Sequence, residues 1–307
     1  MKWNIVNTGR AAGNRREMLD WSRPLRLVPI WYDWFELREP RRLLSDRHSA
    51  RATAPAFKKL VDSLTIPQRL IDLEADVTYY EPPADGEPPF RYEVGTLPVL
   101  ISAPHGAAHR RDGRYKQEDE YTAAFARLLA EHTGAHAIYT HALSENDPNW
   151  DRKSPYKTAL AGVVDDHNIR FVIDIHGMSD RHKFGVAIGT MCGASCRQQH
   201  EALIVEILRE SEFSPATAAE VHEFPELRWD RYVLNHSRFT GGLSSHTVTR
   251  FAAEELGVPA AQFELCARLR IVQLAGTSKR YNGYRGDPTG IARAMAAFEC
   301  MVMALGQ

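Results

Sequence analysis

Hydrophobic positions along the chain fall into two alternating kinds of run. Leu97–Ala103, Ala135–Tyr139 and Ile169–Ile175 are apolar at nearly every residue, while Tyr121–His132 and Tyr156–Asp166, which lie between them, have helical length and spacing. Strands apolar on both faces, separated by helices, describe an α/β fold with a mostly parallel or mixed central sheet and helices on both faces. Further on, Gly185–Gly189 and Ala261–Leu265 read as strands, and Gln198–Arg209 and Ser244–Leu256 as helices. In a closing helix, Thr289–Met303, the side chains of Ile291, Met295, Phe298 and Val302 share one face and mark core packing.

The start of the chain lacks this regularity. Residues 1–68 read as an N-terminal extension and residues 69–307 as the α/β domain. The extension combines Trp31, Tyr32, Trp34 and Phe35 with Pro24, Pro29 and Pro40, which interrupt long helices. Glu81–Pro89, with four prolines and one glycine, is a loop: either an interdomain linker or a wide hairpin turn between Asp76–Tyr80 and Arg91–Val94.

Composition then narrows the class. With 307 residues, 44% hydrophobic and 25% charged, the chain can bury a large core, which excludes disorder and small disulfide scaffolds. No window reaches the roughly 18 continuous apolar residues of a membrane span, and Met1–Gly13 lacks a signal-peptide core, so a cytoplasmic protein with no membrane partner is expected. Four cysteines (Cys192, Cys196, Cys266, Cys300) are expected as free thiols. Residues 1–60 hold 13 Lys/Arg against 6 Asp/Glu, a balance of +7 in a chain of net charge −1. No nucleic-acid motif accompanies that asymmetry, so a solvated face is expected and no nucleic-acid partner.

The absent motifs also matter. There is no GxSxG, Walker A, GxGxxG or HExxH pattern, which disfavours serine-nucleophile and nucleotide chemistry. What stands out is two histidines placed alike. His105 and His176 end the runs Leu97–Pro104 and Ile169–Ile175, each followed by glycine. Ligands bind at the carboxyl ends of strands in open α/β sheets, so both imidazoles should face one crevice. A catalytic metal needs about three protein ligands, and a carboxylate often completes a pair of histidines. Glu118, Asp119 and Glu120, just before the helix at Tyr121, offer one; acids there also complement a helix dipole. In Ala261–Leu265 the pattern puts Phe263 and Leu265 on one side and Gln262 and Glu264 on the other. A carboxylate among apolar residues is costly unless paired or functional, so Glu264 is either a general base or the partner of Arg268 or Arg270. Asp174, two residues before His176, lies on the same side of the strand and is placed to orient a ligand.

Six segments in order, Ser102-Ala-Pro-His-Gly106, Asn146-Asp-Pro-Asn149, Asp174-Ile-His-Gly177, Gly189-Thr-Met-Cys-Gly-Ala-Ser195, Phe239-Thr-Gly-Gly242 and Gln262-Phe-Glu-Leu265, resemble the N-formylglutamate amidohydrolase family of the zinc carboxypeptidase-like superfamily. The resemblance spans about Leu97 to Arg268. It implies a zinc carboxypeptidase-like fold and a zinc-dependent amidohydrolase acting on a small-molecule carboxylate amide. It also implies His105, Asp119 and His176 as ligands of one zinc ion, Glu264 as the catalytic glutamate, and Asn149 as half of an Asn-Arg pair for the substrate carboxylate. Trp150 stands where that arginine is expected, leaving Arg152 or Arg181 to replace it. Two alternatives remain: a carboxypeptidase-like peptide hydrolase, and a non-catalytic sensor whose basic N-terminal segment contacts a partner.

Overall fold

In the computed structural model, residues 65–272 and 286–307 are described. The extension's aromatic and basic cluster therefore lies outside the described residues. Among those described, an eight-stranded sheet runs in the order β1-β5-β2-β6-β10-β7-β9-β8. Its strands are β1 (Phe90–Glu93), β2 (Leu97–Ala103), β5 (Ala135–Thr140), β6 (Phe171–Met178), β7 (Phe184–Gly189), β8 (Ser214–Pro215), β9 (Arg228–Leu234) and β10 (Ala260–Cys266). A separate hairpin pairs β3 (His109–Arg111) with β4 (Arg114–Lys116). The four central strands β5, β2, β6 and β10 are parallel. The antiparallel joins β1–β5 and β10–β7 make the sheet mixed.

Both faces are covered, which is why the central strands are apolar throughout. A helix at residues 65–74 (α1), α2 (Thr122–Thr133) and α7 (Pro288–Leu305) pack with Val99, Ile101, Phe171, Ile173, Ala261 and Phe263. On the other face α3 (Pro155–His167) and α6 (Val248–Glu254) cover Leu100, Val172 and Ala260. α7 is long and apolar enough to cross a membrane by length and composition, but here Phe298 wedges edge-on between Phe125 and Phe263 at 5.5 and 5.0 Å. The remaining helices are α4 (Gln198–Glu210) and α5 (Ala218–Glu223).

Three expectations need correction. The proline-rich loop 81–89 is neither linker nor hairpin turn: β1 pairs with β5, and on the other side only Thr78 bridges, to Ala142. Ser244–Leu256 is helical only from Val248, because Thr247 caps the helix by accepting from the Arg250 amide, freeing the residues before it to form a loop. And β6 continues to Met178, so His176 lies within the strand and not on its closing loop. All four cysteines are free thiols, Cys196 and Cys266 buried and Cys192 and Cys300 exposed.

Candidate metal centre and cavity

One face of the sheet changes character along its strands. In register, Leu100, Val172 and Ala260 form an apolar row under α3 and α6; the next row on that face is Ser102, Asp174 and Gln262, and after it come His176 and Glu264 side by side. Period-two alternation confines this change to one face, since Ile173, Ile175, Phe263 and Leu265 stay in the core on the other. The polar rows sit at the carboxyl ends of the parallel strands, where the covering helices stop and a cavity of about 400 Å³ opens.

At its floor three donors converge. Asp119 Oδ2 stands 3.5 Å from His105 Nδ1 and 3.2 Å from His176 Nδ1, and the donor atoms of this trio lie within 4.8 Å of one another. His105 follows β2 after Pro104 and is held there by Gly106, where any Cβ would strike the Thr140 carbonyl and Ala123. Asp119 hydrogen-bonds into the same turn, its amide donating to the His105 carbonyl at 2.7 Å. Of its acidic neighbours, Glu118 accepts from the Tyr80 hydroxyl at 2.7 Å, and the Glu120 carbonyl accepts from Arg270. None of the three acids caps α2. That role falls to the buried Glu74 of α1, whose carboxylate accepts from the amides of Tyr121 (2.5 Å) and Ala124 (3.3 Å).

Each histidine presents its far nitrogen to a buried carboxylate. His105 Nε2 is 2.9 Å from Asp147 Oδ1, and His176 Nε2 is 3.4 Å from Asp174 Oδ2. Asp174 is fixed in turn by the hydroxyls of Ser102 and Thr249, both at 3.1 Å. Carboxylates behind imidazoles orient the rings and leave Nδ1 facing the cavity, the arrangement common behind metal ligands. Asp147 has a signal in the sequence, standing two residues before Asn149 in the Asn146–Asn149 segment, but nothing local gives it this role.

Buried carboxylates around the two imidazoles favour positive charge at this centre. Burial works against charge on His105, yet Asp147 and Asp119 outweigh it and push the imidazole up to about 9; His176 is raised likewise by Asp174 and Asp119 against the same burial. Burial also opposes ionisation of Asp119, but hydrogen bonds from both histidines hold it well below the usual carboxylate range. Two imidazoles and a carboxylate are a donor set suited to zinc, so the residues fit a divalent ion. A second trio, His105, His109 and Asp147, also converges, but Arg111 already donates to Asp147 Oδ2 at 2.6 Å and supplies the positive charge there.

Glu264 lies beside His176 on the next strand and lines the cavity. Neither Arg268 nor Arg270 pairs with it: Arg268 is exposed, and buried Arg270 donates to the carbonyls of Leu265 and Glu120. Its hydrogen-bond partner is the Gln262 amide at 3.1 Å. Burial, reinforced by Asp119 and opposed by His176, pushes its carboxyl up to about 7, where it can both take and return a proton near neutrality.

Around the rim the residues sort differently. Buried Asn149 lines the cavity, its Nδ2 2.7 Å from His176 Nε2 and its Oδ1 accepting from the Val248 amide. Trp150 forms part of the wall, stacked under the Arg111 guanidinium at 5.1 Å. Arg152 is exposed and does not line the cavity; Arg181 lines an adjoining one. Among the described residues, the arginines that reach the cavity are Arg111 and Arg238, and neither neighbours His105, His176 or Asn149 in the chain, so local sequence pattern does not mark them.

No protein-family model matches the chain, and no curated protein matches it. Among solved structures, it is similar to an N-formylglutamate amidohydrolase from Ralstonia eutropha JMP134 (14% identity, 71% of this chain and 97% of that one, TM-score 0.45). It is also similar to a bacteriophage poly-gamma-glutamate hydrolase (13% identity, 69% and 87%, TM-score 0.39) and to an N-acetylmuramoyl-L-alanine amidase of Nostoc punctiforme (12%, 70% and 96%, TM-score 0.27). At these values neither activity nor ligand passes from one chain to another.

Proposed function

We propose that this chain is a metal-dependent hydrolase that cleaves the amide bond of an N-acyl amino acid, N-formyl included, or of a related small carboxylate amide. The observation that carries this reading is the meeting of His105 Nδ1, His176 Nδ1 and Asp119 Oδ2 on the sheet face where Glu264 stands one strand away. The trio would hold one divalent ion, zinc by donor type, which when bound polarises a carbonyl oxygen and brings water into the range of nucleophilic attack near pH 7. Glu264 takes the proton of the attacking water and delivers it to the leaving amine. Asp147 and Asp174 keep the two imidazoles turned to the cavity. Arg238 has no carboxylate partner among the described residues and so offers a free bidentate fork to the substrate carboxylate, while Arg111 is held by Asp147 and Trp150.

The test is metal analysis of purified protein followed by a screen of N-acyl amino acids. One divalent ion per chain is expected, with hydrolysis that chelation abolishes and zinc restores. His176→Ala should lose the ion while circular dichroism shows an intact fold. Full metal occupancy in that variant, or hydrolysis indifferent to chelation, refutes the reading.

A further inference from the structure

The catalytic cavity continues sideways. Gly177, Arg238, Phe239 and Glu264 line both it and an adjoining cavity that also takes in Arg181 and His182. Arg181, His182 and Arg238 then line a third space, a cleft of about 720 Å³. Its other walls include Lys183, His222 and His236, and no carboxylate lines it among the described residues.

Three separate segments bring these groups together. The turn after β6 carries Arg181 and His182; α5 carries His222; the loop after β9 carries His236 and Arg238. An aromatic base holds them in place. The His182 ring packs edge-on against Phe239 at 4.9 Å, and His236 lies 5.5 Å from both Phe184 and Phe239. Lys183 is anchored by the Phe224 carbonyl at 2.6 Å. Of the acids on these segments, Asp180 accepts from the Ala267 amide, Glu220 closes the cap of α5 and Asp230 pairs with Arg228, while exposed Glu223 and Glu226 do not line the cleft. Neither Arg181 nor Arg238 has a carboxylate partner among the described residues. Uncompensated positive charge in a concave wall concentrates anions. Burial, with Arg238, Arg181 and His236 adding to it, pushes His182 down to about 4, so the cations of the cleft are Arg181, Lys183 and Arg238.

From this geometry we infer that the cleft is a binding site for an acidic peptide, the anionic continuation of a substrate whose amide is cleaved beside Glu264. The ligand class rests on the hydrolase reading above: a chain that carries repeated anions and is also built of amides is a peptide rich in glutamate or aspartate. Arg238, Arg181 and Lys183, spread over the linked cavities, are what let the site accept more than one carboxylate.

Binding and cleavage are measured separately on the full-length protein. Fluorescein-labelled tetraglutamate and tetraglutamine peptides are titrated with wild type, with Arg181→Gln/His222→Gln and with Glu264→Gln, by anisotropy at 50 and 300 mM NaCl. The expectation is that tetraglutamate binds wild type and Glu264→Gln at least about tenfold tighter than tetraglutamine, a difference that higher salt narrows and the double substitution reduces by about tenfold. Equal binding of the two peptides, or tetraglutamate binding that the double substitution leaves untouched, overturns the inference. So does tighter binding of an oligothymidylate than of tetraglutamate, which would assign the cleft to nucleic acid. If tetraglutamate binds as expected but no amide is hydrolysed, the hydrolase reading falls and the acidic-peptide site stands; hydrolysis without a preference for tetraglutamate has the opposite meaning.

Discussion

Glu74 offers a sharp test of how the ligand-bearing loop is held. It is 6% exposed, accepts from the Tyr79 hydroxyl and from the amides of Tyr121 and Ala124, and thereby fixes the start of α2 three residues beyond Asp119. Burial outweighs those hydrogen bonds and raises its carboxyl from 4.5 to about 7. The folded state therefore binds the proton more tightly than the unfolded chain, so stability is fully present below pH 4.5 and declines as pH rises toward 7. Above that it stays lower by a constant amount. A displacement of this size corresponds to about 3 kcal/mol, of which about 2.5 kcal/mol is lost between pH 5 and pH 8. Glu74→Gln keeps the shape and one acceptor oxygen of the protonated acid but cannot ionise. Urea unfolding of both proteins from pH 5 to pH 8 is the assay, and the wild type should lose about 2.5 kcal/mol relative to the variant across that window. Parallel pH profiles would refute the claim that this carboxylate titrates within the fold, and with it the account of how α2 begins.

Glu264→Gln should retain metal and fold while turnover falls by roughly 10²–10⁴-fold, measured as kcat on the best N-acyl substrate; wild-type turnover would remove it as the proton carrier. Arg238→Gln should raise KM for N-formylglutamate relative to its α-amide, whereas Arg152→Gln should leave that preference unchanged because Arg152 lies outside the cavity. Equal preference in wild type and Arg238→Gln would show that the carboxylate is held elsewhere. Phe298→Ala, emptying a fully buried site between Phe125 and Phe263, should cost about 3–5 kcal/mol in denaturant unfolding, and a loss under 1 kcal/mol would contradict that packing.

Leu97–Ala103, Ala135–Tyr139 and Gly185–Gly189 were legible as strands because a strand covered on both faces is apolar at nearly every position, a signal carried by consecutive residues. The same local logic put Gln262 and Glu264 opposite Phe263 and Leu265, and the polar residue types at the ends of two runs marked His105 and His176. Position before the helix could not choose among Glu118, Asp119 and Glu120, since all three precede it equally well, and only the family resemblance pointed to Asp119. Only the fold turns Glu118 to Tyr80 and Asp119 to the two imidazoles. Nor could it find Glu74 or Arg238, brought to the centre from distant parts of the chain by helix packing and by the loop after β9. Local pattern determines which residues share a face of one strand. Which faces meet, and which charge then stands beside which, depends on the register between strands far apart in sequence, as in Glu264 paired with His176, and that register exists only once the sheet has formed.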